Sequence, residues 1–258
     1  MALQSELERQ GSWLFRRRGW LPLAFLPVVV AVAYDLHWQV GNVRFHQIWE
    51  WLCLALSFVG LAVRVLTVGY APAGTSGRNT ANQVAWSLNT TGMYSVVRHP
   101  LYFGNYLIGL GVVCVPLVWW LPLLYTAAFW LYYERIMIAE EAYLQQQFGA
   151  EFESWADATP AFVPRVKQWR PPAEHFSLRF VLRKEYTGLA VVILLHGALQ
   201  LVEHEAINHR LQLEPAWEVV IAGGGATYVL LRALKKHTRI LHVPDRQGDF
   251  ETEPAARS

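Results

Sequence analysis

The chain has 258 residues, of which 53% are hydrophobic, 14% aromatic and only 16% charged, and its mean hydropathy is +0.20. A soluble domain carries roughly a quarter charged residues, so water is not the only solvent this chain is built for. A formal net charge of +2 argues against nucleic acid as a partner, because a phosphate-tracking surface gathers many uncompensated Lys and Arg on one face.

Six runs are apolar and long enough to cross a bilayer as helices, which takes roughly 17 to 25 residues. They are Trp20 to Trp38, Ile48 to Tyr70, Tyr102 to Val118, Trp119 to Ile138, Tyr186 to Val202 and Trp217 to Leu234. No period-2 pattern marks a strand, and in lipid only helices satisfy their own backbone here. The expected fold is therefore all-α: an integral membrane helical bundle of about six transmembrane helices. Arg16, Arg17 and Arg18 precede the first run, as a retained first helix requires; five further runs follow it, so it is not read as a cleaved signal peptide. Cys53 and Cys114 lie inside apolar runs and read as small core residues.

The basic residues set the orientation. With both termini cytoplasmic, 18 of the 22 fall inside, Arg44 and Arg210 fall outside, and Arg64 and Arg135 remain within spans. That bias predicts cytoplasmic termini and cytoplasmic inner loops, in a bacterial-type inner membrane or its equivalent.

Two of those inner loops are long, Ala71 to Leu101 and Ala139 to Glu185, and long loops are uncommon unless they act. Only the hairpin of the third and fourth spans separates them. Gly92-Met93-Tyr94-Ser95-Val96-Val97-Arg98-His99-Pro100-Leu101-Tyr102-Phe103-Gly104 enters the hairpin, and Arg135, Glu140 and Glu141 leave it. Two antiparallel helices with a tight turn bring these ends together at the membrane boundary. From spacing alone the cluster reads either as an ion-pair set anchoring helix ends or as a site. After Glu141, the recurrence of Leu144, Phe148, Phe152 and Trp155 predicts an interfacial amphipathic helix, weakened at Gly149.

The Gly-x-Tyr-Ser-x-x-Arg-His-Pro-x-Tyr-x-Gly run, the apolar hairpin, the Glu140-Glu141 pair, Phe148-Gly149, Phe152, Trp155 and Thr159-Pro160-x-Phe-Val-Pro ending at Pro164 together resemble the isoprenylcysteine carboxyl methyltransferase and phospholipid methyltransferase superfamily. The resemblance covers about residues 84–165, a methyltransferase core. Residues 1–83 precede it with a tail and two spans, and residues 166–258 follow with a basic segment, two more spans and a cytoplasmic tail.

The resemblance implies an integral membrane enzyme that moves a methyl group from S-adenosylmethionine to an oxygen of a membrane lipid or lipidated acceptor. It implies cofactor contacts from Tyr94, His99, Pro100, Tyr102, Gly104, Glu140 and Glu141, and catalytic roles for Arg98, Arg135 and Glu141. Membrane sterol reductases share a similar signature but usually carry Asn where Leu101 stands and often an acid where Asn105 stands, which favours a methyl donor over NADPH. Methylation of a lipid amine and a non-catalytic membrane scaffold also compete with this reading.

An acidic acceptor would be attracted to Arg64, Arg78 and Arg135 as substrate-binding residues. Arg64 reads equally as a side chain snorkelling from its span. The stretch Gly74 to Thr80 reads as an anion-binding nest or a plain turn-rich loop. No metal is expected: Glu205 and His209, four residues apart, read as part of a polar rim on the outer face. Gly223-Gly224-Gly225 lies within a span and reads as a close-packing surface.

Overall fold

A computed structural model of the chain describes residues 2–35, 43–72, 85 and 87–243; Arg78 and the Gly74 to Thr80 stretch lie outside them. Eight α-helices are described: α1 (Ala2–Arg17), α2 (Leu26–Asp35), α3 (Val43–Gly69), α4 (Pro100–Cys114), α5 (Trp120–Phe148), α6 (Ala150–Ala158), α7 (Leu178–Asn208) and α8 (Pro215–His237). Among the described residues there is no strand, only an isolated antiparallel bridge between Gly92 and Arg170.

Three helices, α3, α7 and α8, are long and apolar enough to cross a membrane; α1 and α2, bent by 86° at their junction, make a fourth if the pair is one span. The structure therefore supports three to four candidate spans by length and composition, against the six expected. The differences have local causes. The first predicted run is broken into a 3-10 turn at Leu21–Phe25 and a ten-residue α2, because Pro22 and Pro27 each remove a backbone donor. Helix α4 has 15 residues, about 22 Å of rise. The apolar half of α5 is rich in Trp and Tyr, which favour the membrane interface over its centre.

Helix α5 also runs further than expected, to Phe148. It stops at Gly149, whose φ of +52° is a left-handed value that glycine adopts without steric cost. The amphipathic segment is thus the end of α5 plus a separate nine-residue α6.

Close approach of α3 and α4 positions the site. A Cβ on Gly60 would lie 2.5 Å from the Gly104 carbonyl oxygen, and one on Gly104 would lie 2.8 Å from the Gly60 oxygen and 2.7 Å from Arg64 Cγ. A Cβ on Gly111, two turns further along α4, would lie 2.5 Å from the Cys53 oxygen. Small residues at such spacing let two backbones touch, the packing mode that replaces hydrophobic drive in lipid. Helix α8 does this less: Gly224 approaches Ile193 of α7, while Gly223 and Gly225 meet nothing within 4 Å.

Helix α1 lies along α5, with Gly11 against the Arg135 backbone. The stripe Leu3, Leu7, Gly11 and Phe15 recurs every four residues and forms this contact face.

Gly104→Val should cost about 2 to 3 kcal/mol by overpacking against backbone. Thermal unfolding in detergent should show a clear fall in midpoint, whereas Gly223→Ala should show none. Equal behaviour of the two variants would contradict the crossing.

Candidate active site

The loop between α3 and α4 is held by the segment that follows α6. Arg98 N–H donates to the Pro160 carbonyl (2.9 Å), Arg165 N–H to Val96 (2.9 Å) and Gly92 N–H to Arg170 (3.0 Å). Trp155 Nε1 donates to the Tyr94 carbonyl (3.1 Å), and Arg170 N–H to Ser95 Oγ (2.9 Å). Gly92, at φ +58°, turns the chain where a side chain would be strained. Two stretches far apart in sequence thus pair by backbone. Pro100 starts α4 at a position where its missing N–H costs nothing, and His99 caps that helix start at the mouth of the hairpin.

Glu140 and Glu141 come from the facing turn of α5. His99 sits between them: Nε2 lies 2.8 Å from Glu141 Oε1 and Nδ1 lies 3.5 Å from Glu140 Oε2. An imidazole facing carboxylates with both nitrogens is doubly protonated. His99 is buried, and that burial is the largest single influence on it, acting to lower its pKa. Hydrogen bonds and charges from Glu140 and Glu141 outweigh burial, and the net shift is upward from 6.5.

Glu140 also accepts from Tyr102 Oη (2.6 Å) and Arg18 Nη1 (3.2 Å), and His99 stacks on Tyr102. Arg98 Nε lies 3.2 Å from Glu141 Oε1 but outside hydrogen-bond geometry, a charge contact and not a directed bond. Arg98 Nη1 donates to the Ala156 carbonyl. Burial pushes the Tyr94 hydroxyl up, and Glu140 adds to that shift.

The expected residues Tyr94, Arg98, His99, Pro100, Tyr102, Glu140 and Glu141 therefore come together. Three others do not. Gly104 packs against α3, as described above. Arg64 is held by Glu185 of α7 in a two-pronged pair (2.8 Å each) and donates to Asn105 Oδ1 (2.7 Å); Asn105 in turn donates to Tyr133. Arg135 points to another face of α5, donating to Gln10 of α1. It lines a groove of about 760 Å³ with Arg9, Trp13, Leu14, Ala128, Leu131 and Tyr132.

Sequence reasoning misses Arg18. The four-residue stripe on α1 that leads up to it is the available signal, because that stripe lays α1 on α5 and brings Arg18 to Glu140.

Does this set fit S-adenosylmethionine? Glu141 opens onto a groove of about 540 Å³ between α1, α5 and α6, lined also by Leu3, Leu7, Ile138, Gln145 and Phe152. Its side chain is 25% exposed, so a ligand can reach it. A carboxylate suits an ammonium or ribose hydroxyls, Arg98 suits a carboxylate, and Phe152 offers an aromatic surface. The donor set fits.

Residues 50–151 match the phospholipid methyltransferase family. The chain is similar to the nickel-cobalt-cadmium resistance protein NccN of Alcaligenes xylosoxydans xylosoxydans, 31% identical over 206 residues that cover 75% of this chain and 87% of that protein. It is similar to the cobalt-zinc-cadmium resistance protein CzcN of Cupriavidus metallidurans, 35% identical over 161 residues, 57% of this chain and 71% of that one. It also resembles the protein-S-isoprenylcysteine O-methyltransferase of Schizosaccharomyces pombe, 32% identical over 79 residues, 31% and 34% of the two chains. No solved structure matches it.

His99 contributes stability that is complete below its unfolded pKa near 6.5 and lost as pH rises through its raised folded value. The gap in unfolding midpoint between the wild type and His99→Gln should be widest below the ordinary histidine pKa and narrow as pH rises through the raised folded value. A gap independent of pH would show that His99 is not held as the cation.

Proposed function

This chain belongs to the isoprenylcysteine and phospholipid methyltransferase superfamily, and on that premise we propose that it takes a methyl group from S-adenosylmethionine and places it on an acidic oxygen of a membrane lipid or lipid-like acceptor. The observation that carries this is the clamp of His99 between Glu140 and Glu141, built from the Arg-His-Pro motif and the turn of α5 that faces it. The donor, when bound, supplies an electrophilic methyl carbon on a sulfonium.

Glu141, facing the groove, would hold the donor's ammonium or hydroxyls, and Arg98 its carboxylate. His99 fixes both carboxylates in place, while Tyr102 and Arg18 orient Glu140. Leu3, Leu7, Ile138 and Phe152 give the groove an apolar lining. An ionised acceptor oxygen needs no base: the new C–O bond forms as the C–S bond breaks and its electron pair stays on sulfur. The protein's task is to align the two.

An ammonium headgroup would have to lose a proton first and would meet Arg18 and Arg98 at the site. Arg64 is committed to Glu185, so acceptor binding falls to the α1–α5 groove. There Arg9 and Arg135 stand over an apolar lining, an arrangement suited to an acidic headgroup on an acyl chain. Methylating such an oxygen removes a negative charge from the membrane and weakens its attraction for divalent cations. That consequence offers a physical link to relatives named for nickel, cobalt, zinc and cadmium resistance.

We read the α4–α5 hairpin as membrane-inserted, because Leu123, Leu124, Trp130 and Leu131 all face outward. With α2, α3, α7 and α8 this restores six crossings, with the termini and the site in the cytoplasm. In a background lacking Cys53 and Cys114, Ser154→Cys should resist an impermeant thiol reagent in intact cells, and Leu211→Cys should be labelled. The reverse pattern would invert the topology.

Glu141→Gln keeps volume and removes charge, so donor binding to purified protein should weaken by about 1 to 3 kcal/mol. Unchanged affinity in folded Glu141→Gln would reduce the clamp to an anchor of helix ends. Offered labelled donor with acidic and amine lipids in turn, the enzyme should turn over the acidic class. Turnover of the amine class alone would overturn the acceptor assignment.

A further inference from the structure

At the opposite end of the bundle from the His99 clamp, two buried carboxylates and an imidazole converge. His46 and Glu50 lie four residues apart on one face of α3, near its start. Glu203 reaches them from the last turns of α7. All three are buried, at 7%, 5% and 6% exposure. His46 Nε2 is in contact with Glu203 Oε1 and lies 3.5 Å from Glu50 Oε1. One ligand atom from each residue can be chosen so that all lie within 4.8 Å of one another; an ion with bonds of about 2.0 to 2.2 Å would draw them in to tetrahedral separations of about 3.4 Å.

We propose that His46, Glu50 and Glu203 form a binding site for a divalent first-row transition ion with the ligand preference of zinc. Three physical facts support it. The cluster is short of positive charge: among the described residues no Arg or Lys forms an ion pair with Glu50 or Glu203. By contrast, the other buried carboxylate of α7, Glu185, has Arg64, and the His99 clamp has Arg18 and Arg98.

The second fact is unmet oxygen. Glu203 Oε2 is buried with no hydrogen-bond partner, and so is Oε1 of Gln200, one turn earlier on the same face of α7 and 4% exposed. Buried acceptors without donors are costly, and a cation at the cluster would satisfy Glu203 Oε2. Third, the spacing is that of a chelate: donors at i and i+4 on one helix face share an ion, as in helical zinc sites, and a third ligand from a facing helix closes it. One nitrogen with two or three oxygens suits zinc, cobalt or nickel better than soft thiolate-seeking ions or the all-oxygen shells of magnesium and calcium.

The site is remote from the methyl-transfer cluster. From His46 to Arg64 the rise along α3 is about 27 Å, and the His99 clamp lies beyond Arg64. The ion is therefore structural or a bound cargo and takes no part in methyl transfer. Trp217 of α8 stands within hydrogen-bonding reach of Glu50, so the ion would tie α3, α7 and α8 together at this end.

The test uses untagged full-length protein in detergent, stripped by a chelator and titrated with Co²⁺ while visible absorption is followed. One equivalent should bind with a nitrogen and oxygen ligand-field spectrum, and Zn²⁺ should displace it. His46→Gln and Glu203→Gln should each lose at least about tenfold in affinity. The exposed His237→Gln control should be unchanged.

Helical circular dichroism and donor binding at the far end report whether the variants are folded. If they are not, the wild type alone decides: X-ray absorption of its Co²⁺ form should show an imidazole ligand, and Zn²⁺ should raise its unfolding midpoint. No binding, one equivalent unaffected by both substitutions, or a spectrum without imidazole would each overturn the site.

Discussion

Burying charge in an apolar bundle is expensive, and the fold is organised around meeting that cost at three levels. A carboxylate or guanidinium withdrawn from water is tolerated only when paired and hydrogen-bonded. At one end, His99, Arg98 and Arg18 surround Glu140 and Glu141. In the middle, Glu185 neutralises Arg64, and Asn105 takes its remaining prong. At the other end, His46 meets Glu50 and Glu203 but leaves Glu203 Oε2 unpartnered, so the cost there is met only in part. At each level one pairing joins elements distant in sequence, Arg18 to Glu140, Arg64 to Glu185 and His46 to Glu203, so the polar groups help to determine which helices are neighbours. Lipid and a Leu-lined neighbour are nearly equivalent to an apolar helix face, and only the ionic partners distinguish one docking from another.

These pairings need the backbones close. The Gly60 and Gly104 contact lets α3 and α4 touch, and that contact puts Arg64 beside Asn105 and within reach of α7. Further along the same crossing, Ser57 Oγ donates to the Ile108 carbonyl and meets His196 of α7. A wider crossing would leave Arg64 facing Asn105 across a gap that lipid cannot satisfy. The same helices then present the start of α4 to the end of α5, where the His99 clamp forms.

Much of that end is legible in the sequence. The hairpin ends meet as the spacing requires, and His99, Tyr102, Glu140 and Glu141 are brought together. What sequence does not show is which face each residue takes. Arg135 and Glu140 are five positions apart on α5 and so point in different directions, which sends Arg135 to the α1 groove. Arg64 reads from sequence as snorkelling or binding substrate, because its partner Glu185 lies 121 residues away and no local pattern links them. The Glu203 to His209 segment reads as a surface rim. Glu203 instead turns inward, since the helix carries its face around to α3 while His209 adopts a left-handed cap outside it. Pro22 and Pro27 are plain in the sequence, yet the continuous hydropathy around them suggests one straight span.

Helix α1 changes how the methyl-transfer end is understood. As a tail it would have no bearing on the chemistry. Packed along α5, it supplies Leu3 and Leu7 to one wall of the groove beside Glu141 and ends by delivering Arg18 to Glu140. The 86° bend before α2 then turns the chain from the groove wall into the bundle. Glu140 is therefore shared between a residue of the motif, Tyr102, and a residue at the end of the N-terminal helix, Arg18. Any displacement of α1 removes one of the two donors on that carboxylate and opens the groove in the same movement. Access to the groove and the charge balance of its floor are thereby tied to a single helix, whose hold on α5 rests on the stripe Leu3, Leu7, Gly11 and Phe15. The tightest step in that stripe is Gly11, where any side chain would collide with the Arg135 backbone and push α1 off α5.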